Sequence, residues 1–113
     1  MSVRRGVIVL VDFDPARRAE AAKVRPAIVV TNDAANAHGT SVMVVPLTSD
    51  TATVYPFQVL VPADSSGLDR DAKAQVELVR SVSRTRLGPT VGALPDDLLA
   101  QLDARLRLHL GLE

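Results

Sequence analysis

Three stretches of the chain are almost wholly apolar and rich in β-branched residues: GVIVLV (6–11), AIVVT (27–31) and SVMVVPL (41–47). Each is short and bounded by Asp, Asn, Gly or Pro, which predicts strands buried on both faces or nearly so. FQVLV (57–61) and AQVELVRSV (74–82) instead alternate polar and apolar residues, as strands with one wetter face do. The period then becomes helical: Leu98, Leu99, Leu102, Leu106 and Leu110 recur at helical spacing within LPDDLLAQLDARLRLHLG. Pro95, Asp96 and Asp97 suit the first turn of such a helix, Arg105 and Arg107 the last, and Gly111 the C′ position. The pattern predicts a mainly β fold, a small and strongly bent sheet or barrel closed by one C-terminal α-helix.

The segments between these elements carry turn residues: NDAANAHGT, TSDTATVYP and PADSSGLDRDAK read as loops. DFDPARRAEAAKVRP is long for a small domain, and long loops that are not linkers are often functional. No repeat, low-complexity tract or shift of composition marks a boundary, so residues 1–113 are expected to form one domain.

Composition sharpens this picture in four ways. The chain is 47% hydrophobic but has one Tyr, two Phe and no Trp, so its core must be aliphatic, and Phe57 is expected to face it. Cysteine is absent, which rules out disulfides and thiolate metal sites. Arg4 and Arg5 precede an apolar run that Asp12 and Asp14 end too early for a signal sequence or membrane span, so a cytoplasmic location without membrane contact is expected. Thirteen basic residues balance thirteen acidic ones, so any nucleic-acid contact must be local.

The candidate chemistry gathers at two strand ends. Arg25 stands before Pro26, which drives it to an extended conformation and gives its side chain a stiff base. Thr48 follows VVPL, in which Pro46 lacks the N–H of a ladder residue and so marks a strand end, an edge or a bulge. A hairpin through 32–40 would bring both residues to the same end of the sheet. A forked guanidinium beside a hydroxyl suits a phosphodiester, although both motifs are also ordinary strand-end punctuation. The loop before Arg25 adds Glu20 among Arg17, Arg18 and Lys23, the only basic cluster in a neutral chain. His38 and His109 stand alone, and Asp12 and Asp14 run into a turn at Pro15, so neither a metal site nor a cofactor is expected.

Taken together, RRGVIVLVDFDP, Glu20 separated by four residues from RPAIVVTNDAAN, VVPLTS, YPFQV, GLDRDAKAQVELVRSV and LAQLDARLRLHLGL resemble, in order and spacing, the MazF/PemK toxins of bacterial toxin–antitoxin systems. The resemblance implies an SH3-like β-barrel, a homodimer, and sequence-specific, metal-independent cleavage of single-stranded RNA to 2′,3′-cyclic phosphate and 5′-OH ends. It further implies Arg25 and Thr48 as the catalytic pair, with Glu20 at the same site. Arg17, Arg18, Asn32, Ser49, Tyr55, Glu77 and Leu78 become candidates for RNA contact, and an antitoxin with an acidic, partly disordered tail becomes the expected partner. Two departures stand out: Arg18 and Ala19 occupy positions that many members fill with Gly-Ser, and Leu78 stands where many carry glutamine. The alternative function is that of the CcdB-type toxins, similar in architecture, which bind gyrase without catalysis.

Overall fold

A computed structural model describes residues 3–13 and 24–112. The expectations placed on Arg17, Arg18, Glu20 and Lys23 therefore lie outside the described residues. The elements are β1 (Val7–Asp12), β2 (Val24–Val29), a short helix α1 (Asp33–His38), β3 (Ser41–Thr48), β4 (Val59–Val61), the single turn α2 (Ala63–Ser66), β5 (Ala72–Ala74), β6 (Arg80–Ser83), β7 (Leu87–Ala93) and the helix α3 (Asp96–Leu110). The strands form one antiparallel sheet ordered β4-β5-β3-β2-β1-β7, with β6 also on β3.

The sheet curls because β3 takes two partners along one edge. Its first half pairs with β6 and its last two residues with β5. Between those partners the chain makes a 3₁₀ turn, Val76–Leu78, entered where the Gln75 N–H donates to the Pro46 carbonyl at 2.9 Å. A strand residue points its N and C=O to the same neighbour. Pro46, which has no N–H to give, thus sits where the ladder changes strands. The single strand expected over 74–82 is accordingly two strands with a turn between them.

Alternation sorts the apolar residues onto two faces. Ile8, Ile28, Val45 and Leu47 join one core cluster, with Leu98, Leu102 and Leu106 of α3 packed against it. Val9, Val11, Ala27, Val29, Val42 and Val44 form a second cluster on the other side. Both-face burial of the first three strands is as expected, and the core is aliphatic apart from Phe13. Leu110, by contrast, is exposed, so the buried stripe of α3 ends one turn early. Gly111 closes that helix in the left-handed region, φ 69°, as its expected C′ role requires. Among the described residues no helix is long and apolar enough to cross a membrane.

Arg5 fastens the helix to the sheet. Its Nε donates to the Val30 carbonyl at 2.8 Å, one terminal nitrogen meets Asp103 of α3 at 2.8 Å, and its backbone N–H donates to Asp33 of α1 at 2.7 Å. That backbone bond is the largest of the influences that hold the Asp33 carboxyl below its ordinary pKa.

Besides the single turn α2, two longer elements were not visible in the hydrophobic pattern. Asn32 caps α1, its side chain accepting from the Ala35 N–H at 2.9 Å, inside a segment that reads as loop. β7, with sequence LGPTVGA, carries Gly and Pro because it is an edge strand and breaks register against β1.

The curl brings α2, which follows β4, back to β7, so the two ends of the sheet approach each other. The contact is backbone to backbone: a Cβ on Gly92 would stand 2.3 Å from the Ser66 carbonyl oxygen. Gly92→Ala should therefore force the two ends apart and destabilise the fold by about 1–3 kcal/mol, the usual cost of overpacking. Denaturant titration reads that loss directly. A variant as stable as the parent would mean that this closure does not form in solution.

Candidate active site

Arg25 lies in β2 opposite Val11 of β1, and the Arg-Pro step that stiffens its backbone is itself part of the strand. On the other side of β2 the ladder with β3 runs Val29↔Val44, Ile28↔Val45, Ala27↔Pro46. Continued two residues in the same register, it sets Arg25 opposite Thr48. The two line one open cavity of about 360 Å³, together with Pro26, Leu47 and Ser49 from the strand ends and Leu68, Asp69, Arg70 and Ala72 from the approach to β5. The proximity argued from a hairpin through 32–40 thus holds, with α1 built into the connection.

Thr48 is oriented by its own turn. Its hydroxyl oxygen accepts from the Asp50 N–H at 3.2 Å, a bond that engages a lone pair and not the hydroxyl proton. A guanidinium, a hydroxyl able to donate and a second guanidinium on Arg70 therefore share a concave, solvent-open surface. Such a set can bind an oxyanion and stabilise charge that develops on it.

Arg70 was missed from sequence because GLDRDAK reads as a polar loop. The loop is nonetheless built. The Asp71 carboxylate accepts from the Ala63 N–H at 2.8 Å. It thereby serves the start of α2, whose own N-cap, Pro62, offers no side-chain hydrogen bond. Asp71, eight residues after Ala63, is too far along the chain for a local capping rule to find it.

On the other edge of β3, Thr48 is the ladder partner of Lys73. Lys73 is buried, donates to the Thr53 carbonyl, and places its ammonium 5.6 Å from the centre of the Tyr55 ring. Tyr55 begins a tight turn closed by the Gln58 N–H donating to the Tyr55 carbonyl at 2.8 Å, with Pro56 in the position that its fixed φ favours. Phe57 stands at the tip of that turn and is 43% exposed, which corrects the expectation that it faces the core. The same turn shortens the strand expected over 57–61 to Val59–Val61.

The remaining candidates are dispersed. Glu77 lies in the 3₁₀ turn and accepts from the Gln58 amide at 2.9 Å, so it supports the Tyr55 turn. Leu78 is half exposed on the same 3₁₀ turn. Asn32 is spent on capping α1 and borders a different hollow, which includes Arg5, His38 and Met43. Among the described residues no group of three His, Asp or Glu side chains gathers as a metal site would.

Residues 4–110 match the family model described as PemK-like, MazF-like toxin of type II toxin-antitoxin system. The endoribonuclease MazF9 of Mycobacterium tuberculosis (strain ATCC 25618 / H37Rv) is 51% identical over 115 residues, covering 97% of this chain and 98% of the relative. Among solved structures, a MazF of Deinococcus radiodurans superposes with TM-score 0.81 at 29% identity, covering 99% of both chains. A MazE-MazF structure from the same organism gives 0.79 at 27% identity, with 100% and 99% covered. The M. tuberculosis toxin MazF-mt6, at TM-score 0.80, 22% identity and 95% and 98% coverage, shares the fold.

Asp71→Ala should cost about 1 kcal/mol, as loss of a helix cap does, and should raise amide exchange at Ala63 and through the Arg70 loop. Unchanged exchange in that loop would show that Asp71 does not hold it.

Proposed function

The chain belongs to the PemK-like, MazF-like toxins of type II toxin-antitoxin systems, and from that membership we propose that it is a metal-independent endoribonuclease acting on single-stranded RNA at the Arg25/Thr48 cavity. The observation that supports the reading is the one open cavity that Arg25 and Thr48 line together, just beyond the end of the β2/β3 ladder. A buried or dispersed pair could not meet one phosphate.

The ribose 2′-OH attacks the adjacent phosphorus, the new P–O bond forms as the bond to the 5′-oxygen breaks, and the products are a 2′,3′-cyclic phosphate and a 5′-OH. The guanidinium of Arg25 offers two parallel donors to the phosphoryl oxygens, where negative charge grows, and Thr48 adds a neutral donor. Arg70, at the rim, holds a neighbouring phosphate of the strand. An arginine stays protonated far above neutral pH and is a poor general base. Glu20 is therefore assigned to take the 2′-OH proton, and the departing 5′-oxygen takes a proton from solvent water.

Arg25 and Arg70 make the cavity locally basic in a chain of zero net charge. An acidic antitoxin tail that folds into that cavity would block the RNA. A homodimer and a cytoplasmic setting complete the proposal. The gyrase-binding alternative finds no support: the relative at 51% identity is an endoribonuclease.

Arg25→Ala should lower the cleavage rate by roughly 10²–10³ or more, as loss of other preorganised charge-stabilising donors does. Arg25→Lys should recover little, because a point charge does not reproduce the fork. Thr48→Val keeps the β-branched shape, so its rate should fall while its melting temperature stays close to the parent's. Activity should persist in EDTA. A folded Arg25→Ala protein that cuts at the parent's rate would end this assignment.

Leu78→Gln tests a separate point, whether the half-exposed 3₁₀ turn reads a base. Sequencing of the 5′-OH ends should show a shifted cut-site profile with the same end chemistry. An unchanged profile would remove position 78 from the RNA interface.

A further inference from the structure

Tyr55 and Phe57 are two of only three aromatic residues in the chain, and neither is used in the core. Their rings stand parallel, with centroids 5.4 Å apart and planes 4° apart, and they are 50% and 43% exposed. A chain this short of aromatics has no packing reason to leave its only tyrosine and one of its two phenylalanines half in water, stacked on each other. The stack is also held in place. The Gln58 side chain, itself buried, accepts from the Tyr55 N–H at 3.1 Å and donates to Glu77 at 2.9 Å, which pins both ends of the turn. Lys73, bonded to the Thr53 carbonyl, fixes the segment before Tyr55 and sets a cation within reach of the ring.

The location gives this ledge its meaning. Lys73 is the ladder partner of Thr48, so the strand that carries the ledge's support lies directly beside the strand that carries the candidate catalytic hydroxyl. An RNA strand with a phosphate between Arg25 and Thr48 can lay an adjoining base across that ladder pair. We propose that Tyr55 and Phe57 form a stacking platform for an unpaired nucleobase next to the scissile phosphate, with Gln58, Glu77 and Lys73 as positioning residues. The inference rests on the ribonuclease reading of the same site.

A parallel aromatic pair offers a flat π-face, which every base can match whatever its edge carries. A purely apolar protein contact would not need rings, and a patch recruited for it would gain from any side chain of similar size. The platform therefore contributes binding that is equal in ground and transition states, and its loss should appear in KM and not in kcat. It should also depend on the ring as such, and it should tolerate base changes at the stacked position better than loss of the base.

The test uses the full-length protein and an RNA oligonucleotide spanning a cut site mapped with the parent. Failure of the parent to cut any RNA would refute the ribonuclease reading itself and this inference with it. If the parent cuts, abasic substitution is scanned through the nucleotides flanking the scissile bond, against parent, Tyr55→Leu, Tyr55→Phe, Phe57→Leu and Gln58→Ala. One flanking position should raise KM roughly 5- to 150-fold when abasic, the range found for base–aromatic stacking. The Leu variants should raise KM for the intact RNA by a similar factor and add little to the abasic penalty, whereas Tyr55→Phe should lose far less than Tyr55→Leu. Because both rings are half exposed, melting temperatures of the Leu variants should stay near the parent's, and Gln58→Ala should weaken binding with kcat kept. Three results would overturn the platform: equal effects of Phe and Leu at position 55, penalties that multiply in full, or unchanged RNA kinetics with a changed sedimentation coefficient. The last of these would make the ledge an interface between copies of the chain.

Discussion

The pairing of β3 along both of its edges is the constraint on which the other features depend. One strand of eight residues bonds to β2 on one side and to β6 and then β5 on the other, and Pro46 marks the residue at which the second partner changes. Because side chains alternate with a period of two, a slip of one residue in the β2/β3 register would send the side chains of one core cluster into the space of the other, each packed for different residues. Burial on both faces therefore holds that register strongly. The same register sets Arg25 opposite Thr48, so the energy that keeps the candidate site aligned comes from aliphatic packing several residues away. The polar groups contribute little to it.

That division of labour explains how a chain without net charge can handle a polyanion. Among the described residues the core clusters are apolar, and, Lys73 apart, the charged side chains are not buried, which keeps desolvation small. Arg25, Arg70 and Thr48 line one cavity at the rim of the sheet, Lys73 lies on the adjoining strand, and the chain as a whole carries no net charge. In the proposed function, affinity for RNA would then depend on a few local contacts, and a broad electrostatic field would have little part in it.

Much of this was legible in the sequence because period and punctuation are local. The runs 6–11, 27–31 and 41–47, and the leucines of α3 with Gly111 behind them, map onto real elements to within a few residues. What failed was whatever depends on a distant partner. The 74–82 segment alternates like a strand, yet it must turn at Val76–Leu78 because β3 takes it up twice on one edge. Phe57 looks like core from its aromatic character, but Tyr55-Pro56 commits it to a turn tip. Asn32 followed by Asp33 is a capping signal that the run of loop residues masked, and β7 escaped notice because edge strands tolerate the Gly and Pro that spoil a hydrophobic pattern. At the candidate site, Arg25 and Thr48 could be paired by reasoning about a hairpin. Arg70 could not, since its placement depends on Asp71 reaching the start of α2.

In the proposed mechanism Arg25 and Thr48 act together on one phosphate. A double-mutant cycle in single-turnover RNA cleavage, with Arg25→Ala, Thr48→Val and the combined variant, measures that directly. Groups that work as a unit at one reacting centre lose most of their effect with the first removal. The combined variant should thus cut only slightly more slowly than the worse single variant, all three melting as cooperatively as the parent. A combined loss equal to the full product of the two single losses would show that the residues act independently, and would contradict a shared site.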